Sequence, residues 1–296
     1  MRLKHLVVSA ALATSIVGGP AATAETEITM AVTDVAGLEQ LRREWGPFVE
    51  TLESQSDFTV EFAPVSSRTA AVELLRSERV DFVLTGPAEY IVMRELTGAE
   101  PVLGFSRPEY FSGIITMADS GIETVADLKG ETVALSDVGS TSGHLAPAQV
   151  LADNGIDPQT DITIMHTSER IGYESMKRGD IAAWGANYVS DFLGLRDKDE
   201  ETPPGAFRVI ARGPDLPNDV MVAGTHVSAE VVESFRNVIV ENSDRLIEAI
   251  VDQGGEENQK YRGMRFIANI DDGSYDYVRK AYGSIGQDRF DQFVGD

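Results

Sequence analysis

Gly139-Ser140-Thr141-Ser142-Gly143 is the stretch whose reading decides this chain. It follows a strand-like run, Thr132-Val133-Ala134-Leu135. A helical pattern comes after it, with Leu145, Ala148, Val150, Leu151 and Ile156 at the apolar positions. Three hydroxyls thus sit at a strand–loop–helix junction, where the first helical N–H groups have no intrahelical acceptor. Those donors, the positive end of the helix dipole and the Ser and Thr hydroxyls together suit an anion. Pro147 is tolerated only in a first helical turn, which predicts a helix start near Gly143 or His144. The same five residues also read as an N-cap followed by a polar turn.

Working outward, strand and helix signals alternate on both sides. Strands are predicted at 27–32, 58–62, 80–84 and 101–105. Helical spacing between them is carried by Leu38, Leu41, Trp45, Phe48, Val49 and Leu52, then by Ala70, Val72, Leu74 and Leu75. A third helix opens at Gly86-Pro87-Ala88-Glu89-Tyr90. A second alternating unit runs through strands at 131–135, 162–165 and 181–184, and helices alone are predicted after a last strand at 220–223. Alternation of this kind implies mostly parallel sheets flanked by helices, with ligands beyond the carboxyl ends of the strands. Arg68, Tyr90, the 139–143 loop, Glu169, Arg170 and Asn187 all fall at such ends. The α/β chain therefore divides into two lobes, residues 25–113 with 214–296 and an inserted 114–213, joined by a hinge near 106–116 and 211–219.

Residues 1–24 read as a secretory signal peptide. Arg2 and Lys4 precede an apolar run from Leu6 to Val17, and Ala22-Thr23-Ala24 is a small-x-small cleavage site. That run is too short to span a membrane, so the mature chain is expected in the periplasm. Zero Cys excludes disulfides and thiolate metal sites, and four His give little material for a metal centre; no metal or cofactor is expected. Removing the leader takes the formal charge from −23 to −25, which argues against nucleic acid. Any anion site must then be made locally, against the field of the whole chain. No catalytic residues are assigned, because Thr141 rather than a Ser occupies the centre of the Gly-x-x-x-Gly stretch. Ser142 and His144, two apart on a helix, face different directions.

Several pieces occur in a familiar order: Val80-Asp81 with Gly86-Pro-Ala-Glu-Tyr90, Asp127-Leu-Lys-Gly130, Gly139-Ser-Thr-Ser-Gly-His-Leu-Ala-Pro147 and Leu216-Pro-Asn-Asp219. Together they resemble the phosphate/phosphite/phosphonate-binding family of periplasmic ABC-importer solute-binding proteins, over nearly the whole mature chain. The resemblance implies a type II periplasmic-binding-protein fold that closes two lobes around one ligand, a monomer that hands its oxyanion to an inner-membrane permease. It also implies that Ser140, Thr141 and Ser142, with the amide of Gly143, hold the phosphorus oxyanion, and that Tyr90 contacts it. Three positions depart from the family pattern: Arg68 where a Tyr is frequent, Glu169 with Arg170 beside it where a His is frequent, and Asn187 where an Asp is frequent. The neutral Asn187 argues against an aminophosphonate. Another small oxyanion or a carboxylate, or a sensory rather than a transport role, stays open on the same fold.

Overall fold

The computed structural model describes residues 25–35 and 37–290, apart from the side chain of Arg68; the expected signal peptide lies outside the described residues. The first half runs β1 (Thr26–Val32), α1 (Leu38–Ser54), β2 (Phe58–Phe62), α2 (Arg68–Arg76), β3 (Phe82–Thr85), α3 (Pro87–Thr97) and β4 (Glu100–Phe105). It continues through β5 (Phe111–Met117), β6 (Thr132–Leu135), α4 (Ala146–Asp153), β7 (Thr163–His166), α5 (Glu169–Arg178), β8 (Ala183–Asn187), α6 (Gly194–Arg196) and β9 (Phe207–Asp215). The chain ends with β10 (Asp219–Ala223), α7 (Ala229–Glu241), α8 (Ser243–Val251), β11 (Phe266–Ile267) and α9 (Asp276–Ser284).

Two sheets result, ordered β11-β4-β10-β3-β1-β2 and β7-β6-β8-β5-β9. In each, one strand pairs in parallel with two neighbours, β1 with β2 and β3, β6 with β7 and β8. A single antiparallel strand is then inserted, β10 between β3 and β4, β5 between β8 and β9. The reason is connectivity: β5 arrives from the first lobe and β10 returns from the second, so each enters its sheet from the opposite direction. The two-residue β11 adds to β4, where helices alone were expected; a pairing that short has no periodicity to read.

Side-chain alternation fills both faces of each sheet. In the first lobe Met30, Phe82 and Leu84 face Trp45 and Phe48 of α1, whereas Ala31 and Val83 face Tyr90, Tyr275 and Tyr282. In the second, Leu135 and Leu151 pack on one face, Tyr173 and Trp184 on the other. Burying each such side chain contributes about 1.5–3 kcal/mol, so each lobe has an apolar core of its own.

The second sheet extends from Phe111 to Asp215, which pair with each other and widen the lobe slightly beyond 114–213. Residues 106–110 and 216–218 are left as the two crossings. They are tied together: the Leu216 N–H donates to Tyr110 O at 2.8 Å, and the Arg107 N–H to Asn218 Oδ1 at 2.9 Å.

Candidate functional site

A cavity of about 960 Å³ lies between the lobes. Its walls come from the ends of elements: Asp34 after β1, Gly86 and Glu89 at the start of α3, Ser140 to Ser142 after β6, and Glu169 at the start of α5. Asn187 at the end of β8, the crossing residues Arg107 to Tyr110, and the segment from Glu256 to Arg262 complete it.

The Ser-Thr-Ser loop is shaped by what lies under it. Gly139 adopts φ 90, a left-handed conformation that favours glycine, and its N–H donates to His144 Nδ1 at 3.0 Å. Ser140 caps the helix, its hydroxyl accepting from Gly143 N–H at 3.2 Å. A Cβ on Gly143 would stand 2.6 Å from Ser136 Cβ, so glycine is required for the loop to lie this close to β6. The amide of Gly143 is therefore spent on Ser140. The helix starts at Thr141, earlier than expected, as a π-helical turn over Thr141–Leu145. The wider turn, with Leu145 N–H donating to Ser140 O at 3.0 Å, leaves Pro147 in the first turn of α4, where its missing N–H costs nothing.

Opposite this loop stands the N-terminus of α3. The Ala88 N–H, one of its orphan donors, reaches across the cleft to Thr141 Oγ1 at 3.0 Å. Asn187 caps the helical turn that follows β8. Its carbonyl oxygen accepts from the N–H groups of Val189 and Ser190, each at 3.0 Å, and its Nδ2 faces Ser142 Oγ at 3.5 Å.

Of the residues named from sequence, the structure brings Ser140, Thr141, Ser142, Glu169 and Asn187 to one cavity. Arg170, the neighbour of Glu169, is exposed and outside that wall. Tyr90 also points elsewhere. It is fully buried between α3 and α9, its hydroxyl donating to Asp272 Oδ1 and accepting from Arg94 Nη1, each at 2.8 Å. Burial pushes its phenol up to about 12. One turn into the helix, its side chain turns toward the lobe core, while Glu89 takes the cavity side. Arg68 opens α2, and its side chain lies outside the described residues.

Sequence reading missed the crossing residues Arg107 and Tyr110, the α6 approach with Asp191, and Lys260. Arg107 and Tyr110 lie on a crossing, Asp191 lies one turn into the helical segment after β8, and only the acidic and basic clustering near 256–262 offered a signal. Asp191 accepts from the Asn187 N–H at 3.1 Å. Burial, reinforced by the Glu169 carboxylate, pushes it up to about 6. Lys260 is held by Asp34 at 2.6 Å.

A family model described as ABC transporter, phosphonate, periplasmic substrate-binding protein matches residues 30–261. The phosphate-import protein PhnD of Mycolicibacterium smegmatis is 24% identical over 281 residues, covering 88% of this chain and 87% of that protein. Among solved structures, PhnD1 from Prochlorococcus marinus in complex with methylphosphonate superposes with a TM-score of 0.66 at 16% identity, covering 88% of this chain and 98% of that one. The periplasmic aliphatic sulphonate binding protein SsuA from Escherichia coli gives 0.60 at 15% identity, covering 90% and 89%. The two α/β lobes, the hydroxyl loop at the cleft and the extent of the match agree: this chain belongs to the family of periplasmic substrate-binding proteins of phosphonate ABC transporters.

Proposed function

We propose that this protein binds a phosphonate or closely related phosphorus oxyanion in the interlobe cleft and delivers it to an inner-membrane ABC permease. The observation that carries this reading is the meeting of Ala88 N–H with Thr141 Oγ1, flanked by Ser140, Ser142 and Asn187. Hydroxyls and helix N-terminal amides replace the hydration shell of an oxyanion without themselves carrying charge. Because these groups come from both lobes, a ligand touching all of them favours the closed arrangement, with the two crossings as hinge. The protein acts as an exported monomer, cleaved after Ala24, and binds its ligand without turning it over.

A more specific ligand follows from the charge of the wall. Glu169 stands close enough to Asp191 to disfavour its ionisation, and both line the cavity with Asn187. A cationic substituent on the phosphonate would relieve that repulsion. The neutral Asn187, which in the sequence argued against an amine, has an acidic group beside it after all, since Asp191 accepts from its N–H. A phosphonate with an amine at its far end is therefore favoured over bare phosphate.

Calorimetric titration of the mature protein with phosphate, phosphite, methylphosphonate, 2-aminoethylphosphonate, sulfate and an alkanesulfonate tests this. Tightest binding of 2-aminoethylphosphonate is expected. Tightest binding of a sulfur oxyanion, or no binding of any phosphorus compound, would overturn the assignment.

A further inference from the structure

Among the described residues, the wall of the cleft carries seven carboxylates, Asp34, Glu89, Glu109, Glu169, Asp191, Glu256 and Glu257, against the basic groups Arg107, Lys198, Lys260 and Arg262. Neutral donors alone face a repulsive field when an oxyanion enters such a cavity, so a basic group must meet it. Lys260 is held by Asp34 at 2.6 Å, Arg262 is exposed and donates to Gln259, and Lys198 is exposed. Arg107 differs from all three.

The Arg107 side chain is only 13% exposed. Its guanidinium carbon lies over the Tyr110 ring, 3.7 Å from the centroid. That contact with the ring is a cation–π contact and consumes no hydrogen-bond acceptor, and the guanidinium carries five N–H donors. The nearest carboxylate oxygen, Asp219 Oδ1, is 3.5 Å away, and this buried atom has no hydrogen-bond partner. The other Asp219 oxygen is occupied by the Tyr261 hydroxyl at 2.6 Å. Asp219 thus balances the charge of Arg107 without a hydrogen bond through Oδ1. Burial works against that charge, but Tyr110, Asp219, Tyr261 and Asp34 around it hold the guanidinium raised above its ordinary range. The Tyr110 phenol also lies beside the Ser142 hydroxyl, so Arg107 and the Ser-Thr-Ser loop meet around one ring.

We propose that Arg107 is the cation that receives the oxyanion, with Asp219 as its counter-charge. The assignment rests on the phosphonate-binding reading and adds to it a residue on the first crossing. Asp219 begins β10 just beyond the second crossing, so a ligand drawing on Arg107 acts on both connections between the lobes at once.

The test is calorimetric titration of the mature protein and of Arg107→Gln and Arg107→Lys with methylphosphonate and 2-aminoethylphosphonate. Arg107→Gln is expected to weaken both ligands by roughly 10- to 100-fold, because the lost contact is to their shared headgroup. Arg107→Lys keeps the charge without the fork and should recover only part of that loss. It also carries the test should the Gln variant not fold. Unchanged affinity in both variants, with the parent protein binding normally, overturns this inference and leaves the phosphonate reading intact. Failure of the parent protein to bind either compound overturns both.

Discussion

The backbone amide of Ala88 and the hydroxyl of Thr141 meet at 3.0 Å across the cleft, joining the N-terminus of α3 in one lobe to that of the π-helical turn in the other. Thr141→Val keeps the shape of the side chain and removes its hydrogen bonding. The expected result is a roughly 10- to 100-fold weaker affinity for methylphosphonate by calorimetry, the range for a hydrogen bond to a charged group. Unchanged affinity would remove Thr141 from the site.

Tyr90 separates a structural role from a ligand contact. Tyr90→Phe removes hydrogen bonds to Asp272 and Arg94 but leaves the packing on Tyr275. Thermal unfolding should show a loss of about 1–2 kcal/mol, with methylphosphonate affinity intact. A large loss of affinity at constant stability would return Tyr90 to the ligand.

Gly143→Ala asks whether the loop tolerates a side chain. The added methyl would overlap Ser136, whose backbone N–H also donates to Gly143 O at 2.8 Å, so neither strand nor loop can give way freely. Overpacking of this kind costs about 1–3 kcal/mol. Denaturant unfolding should register it, and ligand affinity should fall with it because the three hydroxyls shift together.

His144 makes the loop sensitive to acid. Burial, with a contribution from His166, pulls its imidazole down to about 4, and its Nδ1 accepts from Gly139 N–H. Between its ordinary value near 6.5 and 4, the unfolded chain takes up a proton that the folded chain refuses. Stability from this group is therefore full above about 6.5 and is lost as the pH falls to 4, by up to about 3 kcal/mol. His144→Gln should flatten the difference in melting temperature between pH 6.5 and 4, and a slope equal to that of the parent protein would count against this account.

Asp191 acts in the opposite sense. Its pKa, raised to about 6 by burial and by Glu169, means that the folded protein holds a proton the unfolded chain has released, so its contribution to stability falls as the pH rises from about 4 to 6. The same ionisation strengthens attraction for an ammonium group. The preference for 2-aminoethylphosphonate over methylphosphonate should grow between pH 5 and 7, and Asp191→Asn should abolish that growth. A preference independent of pH in the parent protein would exclude Asp191 as the amine's partner.

The sequence by itself determined the α/β class, the two alternating units and the hydroxyl loop, because each is written in local periodicity or in a contiguous motif. Strands such as β3 are short, fully buried and mostly apolar, and Ser140-Thr141-Ser142 lies at the one kind of junction where helix amides are unpaired. Tertiary structure decided the rest of the cleft. Tyr90 and Glu89 are adjacent in sequence, yet the rotation of α3 sends one into the core and the other to the cavity. Arg107 lies on a crossing, Asp191 in the helical turn after β8, Asp219 at the first position of β10 and Lys260 in a short helical turn, and no period marks any of them as facing the cleft. Their roles depend on partners tens of residues or more away, such as Tyr261 with Asp219 and Lys260 with Asp34. Local propensity acts over a few residues, whereas the charge balance of a cleft is set by which distant groups the fold brings within a few ångströms of one another.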